Sequence, residues 1–105
     1  MDRLLKLDYF INHSLMYPLT NKEIANELHL GERQLSRLVL KHYGTTLHTI
    51  YTKKRITVAA KLLTESSDTI ENIALSVGFN GKMSFYREFK RIYGMTPAQY
   101  RNKAL

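Results

Sequence analysis

Residues 77–101, VGFNGKMSFYREFKRIYGMTPAQYR, decide the fold of this chain. Phe85, Phe89 and Ile92 recur at helical spacing, which predicts a helix with one buried face. The opposite face is basic and polar, and it carries Lys82, Met83, Tyr86, Arg87 and Lys90. A solvated helix usually mixes acids with its bases, whereas Glu88 is the only acid in this stretch. The outward face therefore indicates a partner that carries negative charge.

The whole chain is basic, and its charge is unevenly placed. It has 105 residues, of which 16 are Lys or Arg and 9 are Asp or Glu, so the formal net charge is +7. Residues 33–64 hold seven bases and no acid, and residues 72–105 hold six bases and one acid. Such an excess favours a polyanionic partner, with nucleic acid first and an anionic membrane surface second.

Several function classes are excluded or disfavoured by residues that are missing. The absence of cysteine excludes disulfides, thiolate zinc sites and cysteine nucleophiles. The histidines lack metal-ligand spacing, and no glycine-rich phosphate loop, paired carboxylates or nucleophile with its base can be found. We therefore expect no catalytic residue, metal or cofactor. Because no apolar run reaches 18 residues and no signal peptide opens the chain, we expect a cytoplasmic protein without membrane contact.

Hydrophobic periodicity predicts an all-α fold of about seven helices. The first helix should stop before Tyr17-Pro18, Thr20 should cap the second in a capping box with Glu23, and Asn80 should cap the sixth. Gly44 should end the third helix, and Thr96-Pro97 should open the seventh. The third helix is expected to bury Leu35, Leu38, Val39 and His42. A single domain, 1–105, is predicted to divide into a first subdomain (1–45), a linker helix (46–65) and a second subdomain (66–105).

The chain contains an internal repeat. A shift of 49 residues places Ile24-Ala25 on Ile73-Ala74, and a shift of 50 places Arg37 on Arg87 and Gly44 on Gly94. Each copy predicts a short helix, a tight turn and a second helix with a basic outer face, which is the form of a helix-turn-helix. The turn needs a residue that tolerates a left-handed backbone. Gly78 meets this need at no steric cost, and His29 meets it less well.

The motifs resemble those of the AraC/XylS family of bacterial transcription regulators. The signature runs from Ile70-x-x-Ile73-Ala74-x-x-Val77-Gly78-Phe79 through Phe85-x-Arg87-x-Phe89-Lys90 to Gly94-x-Thr96-Pro97-x-x-Tyr100-Arg101. Arg55-x-x-x-Ala59-x-x-Leu62-Leu63 is similar to the family's connecting helix, and Leu35-Ser36-Arg37-Leu38 to its first recognition helix. The chain departs from the family at Val39-Leu40, where Phe-Lys is usual, and has Gly31 and Gly81 at the starts of the two recognition helices. The resemblance implies two helix-turn-helix subdomains, joined by one long helix, that bind promoter DNA in the bacterial cytoplasm.

Two sets of residues are predicted to contact DNA. The expected base-reading residues lie on the outer faces of the recognition helices and are Arg33, Ser36, Arg37, Lys82, Met83, Tyr86 and Arg87. The apolar tip of Met83 suits a thymine methyl group, and Arg87 has an alternative role in an ion pair with Glu71 or Glu88. Phosphate contacts are expected from basic side chains and from helix N-termini, at Thr20, Asn21, Lys41, Lys54, Arg55, Thr69 and Lys90. Arg55 has the competing role of anchoring the long helix.

These features predict sequence-specific binding of double-stranded promoter DNA for transcription regulation. A helix over 46–64 is about 28 Å long, close to the roughly 34 Å between successive major grooves. One monomer is therefore expected to read two grooves of a non-palindromic site and to act with RNA polymerase. The effector or dimerisation domain that the family usually adds is expected to be missing from this chain, and a stand-alone regulator is the alternative.

Two other function classes remain open. DNA-repair methyltransferases carry a similar module, but they transfer alkyl groups to cysteines, which this chain lacks. A protein-interaction module would instead use the basic helices to dock an acidic partner.

Overall fold

The described residues of the computed structural model, 2–14 and 19–104, form seven α-helices and no strand. The helices are α1 (Arg3–His13), α2 (Asn21–Glu27), α3 (Glu32–Tyr43), α4 (Leu47–Glu65), α5 (Ile70–Ser76), α6 (Lys82–Tyr93) and α7 (Pro97–Ala104). The predicted all-α class is confirmed. The predicted stop before Tyr17-Pro18 lies outside the described residues, and α1 ends at His13. No helix of the described residues is both long and apolar enough to cross a membrane.

The first of two compact units comprises Met1–Tyr51. Its core is aliphatic, with Leu7, Ile11, Ile24, Leu28 and Leu35 all at most 2% exposed. These residues lie on α1, on α2 and its C-cap residue Leu28, and on α3, so burial of one face of each helix builds the core. The start of α4 adds Leu47, Ile50 and Tyr51 to the same cluster.

The second unit comprises Thr52–Leu105 and has a core rich in aromatic rings. Phe85 and Phe89 of α6 are fully buried, and their ring centroids lie 5.8 Å apart. Tyr93 stacks on Phe89 with a centroid separation of 4.8 Å. Burial of these rings fixes which face of α6 points inward, and hence which face remains outside.

The helix-turn-helix turns have the left-handed residues that the repeat predicts. The φ angle is 57° at His29 and 94° at Gly78. Just after each turn, Leu30 N donates to Ala25 O at 2.8 Å, and Phe79 N donates to Ala74 O at 3.0 Å. The two turns are therefore closed in the same way in both units.

Most of the predicted helix ends are confirmed. Glu23 N donates to Thr20 Oγ1 at 3.1 Å, and Thr20 N donates to Glu23 Oε1 at 3.2 Å, which completes the predicted capping box of α2. Thr96 Oγ1 accepts from Gln99 N at 3.2 Å where α7 begins at Pro97. Gly44 ends α3 with a φ of 75°.

Two expectations about individual residues are wrong. Asn80 does not cap α6, because Gly81 takes the cap position in an extended conformation and α6 begins at Lys82. His42 is exposed rather than buried. It lies seven residues after Leu35, on the same side of the helix, but in the last turn only Tyr43 packs against the core. Leu35 and Val39 are buried as expected, and Leu38 is half-buried.

Candidate nucleic-acid interface

Helix α3 presents an exposed basic face because its apolar face is buried. Leu35 and Val39 are each 1% exposed, whereas Arg33, Ser36 and Arg37 lie on the exposed side. Neither arginine forms an ion pair with any described residue. Their guanidinium groups are therefore available to an external acceptor, and a guanidinium can donate two parallel hydrogen bonds to a guanine edge.

Gln34 has a structural role at the start of α3 that was not predicted from the sequence. Gly31 has no side chain with which to cap the helix, and its own N–H donates to Gln34 Oε1 at 2.8 Å. The Gln34 side chain is thus occupied at the helix terminus. A Gln three residues after a cap position is a recognisable signal for this contact.

Helix α6 presents the corresponding face in the second unit. Lys82, Met83, Arg87 and Lys90 are exposed, and at 86% Met83 is the most exposed large hydrophobic side chain among the described residues. Tyr86 lies at the border of this face, because its ring is half-buried against the second core. Four of the five predicted outward residues are therefore fully on the outside, and the fifth is divided between core and surface.

The acids near α6 pair with bases other than Arg87. Lys82 Nζ lies 3.5 Å from Glu71 Oε1, and Arg91 lies 2.8 Å from Glu88 Oε2. The alternative role of Arg87 in an ion pair with either acid is therefore wrong for the described residues. Arg87 is exposed and is therefore open to an external partner.

The predicted phosphate contacts fall into two kinds of environment. Lys41 and Lys90 are exposed, on α3 and α6, and neither pairs with an acid of the described residues. On α4, Lys54 and Arg55 are half-buried, and Arg55 already has an interaction partner. The flexible side chain of an exposed lysine can adjust to the position of a phosphate, whereas a half-buried base has fewer positions open to it.

The N-termini of α2 and α5 are built in the same manner. Thr69 Oγ1 accepts from Asn72 N at 3.1 Å, as Thr20 Oγ1 does from Glu23 N. In the first unit, Asn21 and Ser36 line one cavity of about 260 Å³, so the start of α2 lies beside the exposed face of α3. Asn21, which is expected to contact phosphate, therefore lies near Ser36, which is expected to read a base.

Arg101 has a structural role that was not assigned from the sequence. Its guanidinium donates from Nε to Leu63 O at 3.0 Å and from a terminal nitrogen to Ser66 O at 3.3 Å. It thus satisfies one carbonyl group in the last turn of α4, where the helix itself leaves carbonyls without donors, and one carbonyl group just beyond the helix. Only its place in the family-like motif could have drawn attention to it.

Comparison with known proteins identifies the family. A family model described as a helix-turn-helix domain matches residues 24–103. The crystal structure of an AraC-type DNA-binding domain protein from Chromobacterium violaceum superposes with a TM-score of 0.88 at 26% identity, covering 97% of this chain and 91% of that one. This chain belongs to the AraC-type helix-turn-helix family. The family is one of DNA-binding transcription regulators rather than of enzymes.

The relatives of this AraC-type domain differ in length. This chain is 35% identical over 96 residues to the TetD protein of transposon Tn10 from Escherichia coli, and the match covers 91% of this chain and 70% of that protein. It is 29% identical over 94 residues to the probable transcriptional regulator LumQ of Photobacterium leiognathi, covering 90% of this chain but only 38% of LumQ. The DNA-binding domain of AdpA, solved in complex with a target DNA, shares the fold with a TM-score of 0.86 at 21% identity, and covers 98% of this chain and 93% of that chain.

Proposed function

We propose that this AraC-type domain binds a non-palindromic promoter site as a monomer, with α3 and α6 as recognition helices in successive major grooves. One observation carries the proposal. Each compact unit buries the apolar face of one helix and leaves on its outside a set of bases that have few acids to pair with. A basic helix that follows a left-handed turn is the element that enters the major groove in helix-turn-helix proteins.

The proposed base-reading residues are those on the exposed sides of the two helices. Arg33, Ser36 and Arg37 act from α3, and Lys82, Met83, Tyr86 and Arg87 act from α6. The exposure of Met83 supports its assignment, because a methionine with a purely structural role would be buried. Tyr86 is half-buried against the second core, so less of its side chain is open to DNA.

The proposed phosphate contacts set the register of the domain on the duplex. They comprise Thr20, Asn21, Lys41, Lys54, Arg55, Thr69 and Lys90. The backbone N–H groups at the starts of α2 and α5 add partial positive charge where a phosphate could approach. Such contacts do not depend on sequence, but they supply much of the affinity and make it sensitive to salt.

The wider role follows from the family. We infer that the two subdomains and their linker helix occupy 1–45, 66–105 and 46–65, that the domain works in the bacterial cytoplasm with RNA polymerase, and that it catalyses no reaction. Because the chain matches only 38% of LumQ, an effector or dimerisation domain elsewhere in the whole protein is part of the same proposal.

A salt titration with duplex DNA tests the proposed function. If the bases of α3, α4 and α6 neutralise about five to eight phosphates, the logarithm of the binding constant should fall against that of the salt concentration with a slope of about −5 to −7. Titration of an acidic peptide in place of DNA serves as the control for a protein-docking module. A slope shallower than about −2 with DNA would overturn the proposal.

A further inference from the structure

Lys82 is held on two sides within the second unit. Its Nζ lies 3.5 Å from Glu71 Oε1 of α5 and 5.4 Å from the centroid of the Tyr86 ring, one turn further along α6. Both charged side chains are well exposed, at 56% for Lys82 and 68% for Glu71. The pair is therefore a surface contact at the start of the proposed second recognition helix.

The first unit carries the opposite charges at the corresponding places. The shift of 49 residues places Glu71 on Lys22, and the shift of 50 places Lys82 on Glu32. Lys22 and Glu32 are exposed, and no ion pair joins them. The first turn of α2 thus has a base, Lys22, beside its capping acid Glu23, whereas the first turn of α5 has the acid Glu71 at the place of that base.

An acid at this place has two effects on DNA binding. It repels backbone phosphates, and this lowers the affinity for every sequence. It also attracts the Lys82 ammonium, which sits on a flexible stem and would otherwise turn to the nearest phosphate. An acid that only weakened binding would have no evident use in a basic domain, whereas one that directs a lysine affects which sequences are bound.

We propose that Glu71 is a positioning residue that sets the sequence preference of α6. It keeps Lys82 along the exposed face of the helix, beside Met83, and away from the phosphates, so that Lys82 meets base edges. This inference rests on the proposed function, since it assumes that α6 enters the major groove. Because an exposed ion pair is weak in water, the contact biases Lys82 rather than locking it.

Glu71→Gln tests the proposal with little change in shape. We expect it to tighten binding to random-sequence duplex about three- to tenfold and to steepen the salt slope by about one, because Lys82 becomes a phosphate contact. The base preference in the block read by α6 should flatten, while the preference in the block read by α3 should not change. Thr69 continues to cap α5 in the variant, through its contact with Asn72 N.

Glu65→Gln is the matched control for charge. Glu65 is an exposed acid at the end of α4 that pairs with no base of the described residues. This variant has the same net charge as Glu71→Gln but leaves the contact between Glu71 and Lys82 in place. It should therefore tighten binding only slightly and should keep both base preferences. If the two variants behave alike, Glu71 acts only as a general charge and the proposal is wrong.

A double variant shows whether Glu71 acts through Lys82. In a Lys82→Gln background, Glu71→Gln should no longer alter the base preference of the second block, because no ammonium group is left to redirect. A change of the same size in both backgrounds would overturn the proposal. The wild-type titration distinguishes failure of the proposed function from failure of this inference. If the wild-type domain shows no salt-dependent binding to duplex DNA, the proposed function is wrong. If the wild-type domain binds as expected and Glu71→Gln changes neither affinity nor base preference, only this inference is wrong.

Discussion

Arg37 and Lys41 lie one turn apart on α3, both exposed, and they differ in the chemistry that they offer to DNA. A guanidinium donates a fixed pair of hydrogen bonds, whereas an ammonium group is a mobile point charge. We expect Arg37→Ala to remove the preference at one base pair, at a cost of about 1–3 kcal/mol on the preferred site. Lys41→Ala should instead weaken all sequences about equally and reduce the salt slope by about one.

Competition binding with a set of single-base-pair variants of a selected site measures both effects. Each protein variant serves as the control for the other, because each removes one positive charge from the same helix. If Arg37→Ala and Lys41→Ala lower affinity uniformly across the set, Arg37 contacts phosphate and does not read a base.

Single side chains also show where sequence reasoning reaches its limit in the site. Helical spacing was sufficient to separate the buried Phe85 and Phe89 from the exposed Met83 and Arg87, because the period of a helix fixes its faces. It was not sufficient to decide that Glu71 pairs with Lys82, since that choice depends on how α5 and α6 pack. The contact residues themselves remain predictions at this scale.

At the scale of the elements, the left-handed residues of the two helix-turn-helix turns can be exchanged to measure what the turn requires. A left-handed backbone costs an ordinary L-residue about 1–2 kcal/mol, so Gly78→Ala should destabilise the second unit by about that amount. His29→Gly removes this cost in the first unit, but a glycine loses more conformational entropy on folding than a histidine does. We therefore expect the stability of the first unit to rise by at most about 1 kcal/mol.

Urea unfolding of both variants, followed by helical circular dichroism, measures these differences. Gly81→Ala is the control, since Gly81 has an extended backbone and a Cβ there would meet no atom within 4 Å. Equal losses from Gly78→Ala and Gly81→Ala would show that the turn places no special demand on its residue.

The helices could be predicted well, and their ends less well. Caps with a side chain gave a clear signal, as Thr20 with Glu23 and Thr96 with Pro97 show. A cap without a side chain gives no such signal, so the sequence predicts Asn80 as the cap of α6, whereas Gly81, one residue later, takes that position. His42 shows a related limit, because periodicity identifies a side of a helix but not where its packing partners stop.

At the scale of the whole molecule, the boundary between the compact units falls inside α4. Ile50 and Tyr51 belong to the first core, and Ile56 and Ala59 belong to the second. The sequence showed a long helix between two repeats, but it could not show that this helix supplies core residues to both.

A spacer series tests the proposal that one chain reads two segments of one site. We expect a monomer to protect about 17–20 base pairs, with two unlike blocks of preference centred about 10–10.5 base pairs apart. Five base pairs inserted between the blocks turn one of them to the far side of the duplex, so binding should fall towards the non-specific level. Five base pairs added outside the blocks are the control and should have no effect.

Footprinting and stoichiometry measurements on the same duplexes complete this test. A palindromic site, two chains for each site, or tolerance of the central insertion would each show that only one of the helices reads DNA.

The exposure of Met83 also makes it useful as a spectroscopic probe. Its methyl group ends a long, freely rotating side chain that is 86% exposed, so it should give a narrow NMR signal in the free domain. The chain has four methionines, so a sample with methyl-labelled methionine has a simple spectrum, in which Met83→Leu assigns the relevant peak. Contact with a base would slow that rotation and place the methyl group beside an aromatic ring current. The resonance should therefore broaden and shift on addition of DNA, which gives a direct view of α6 during binding.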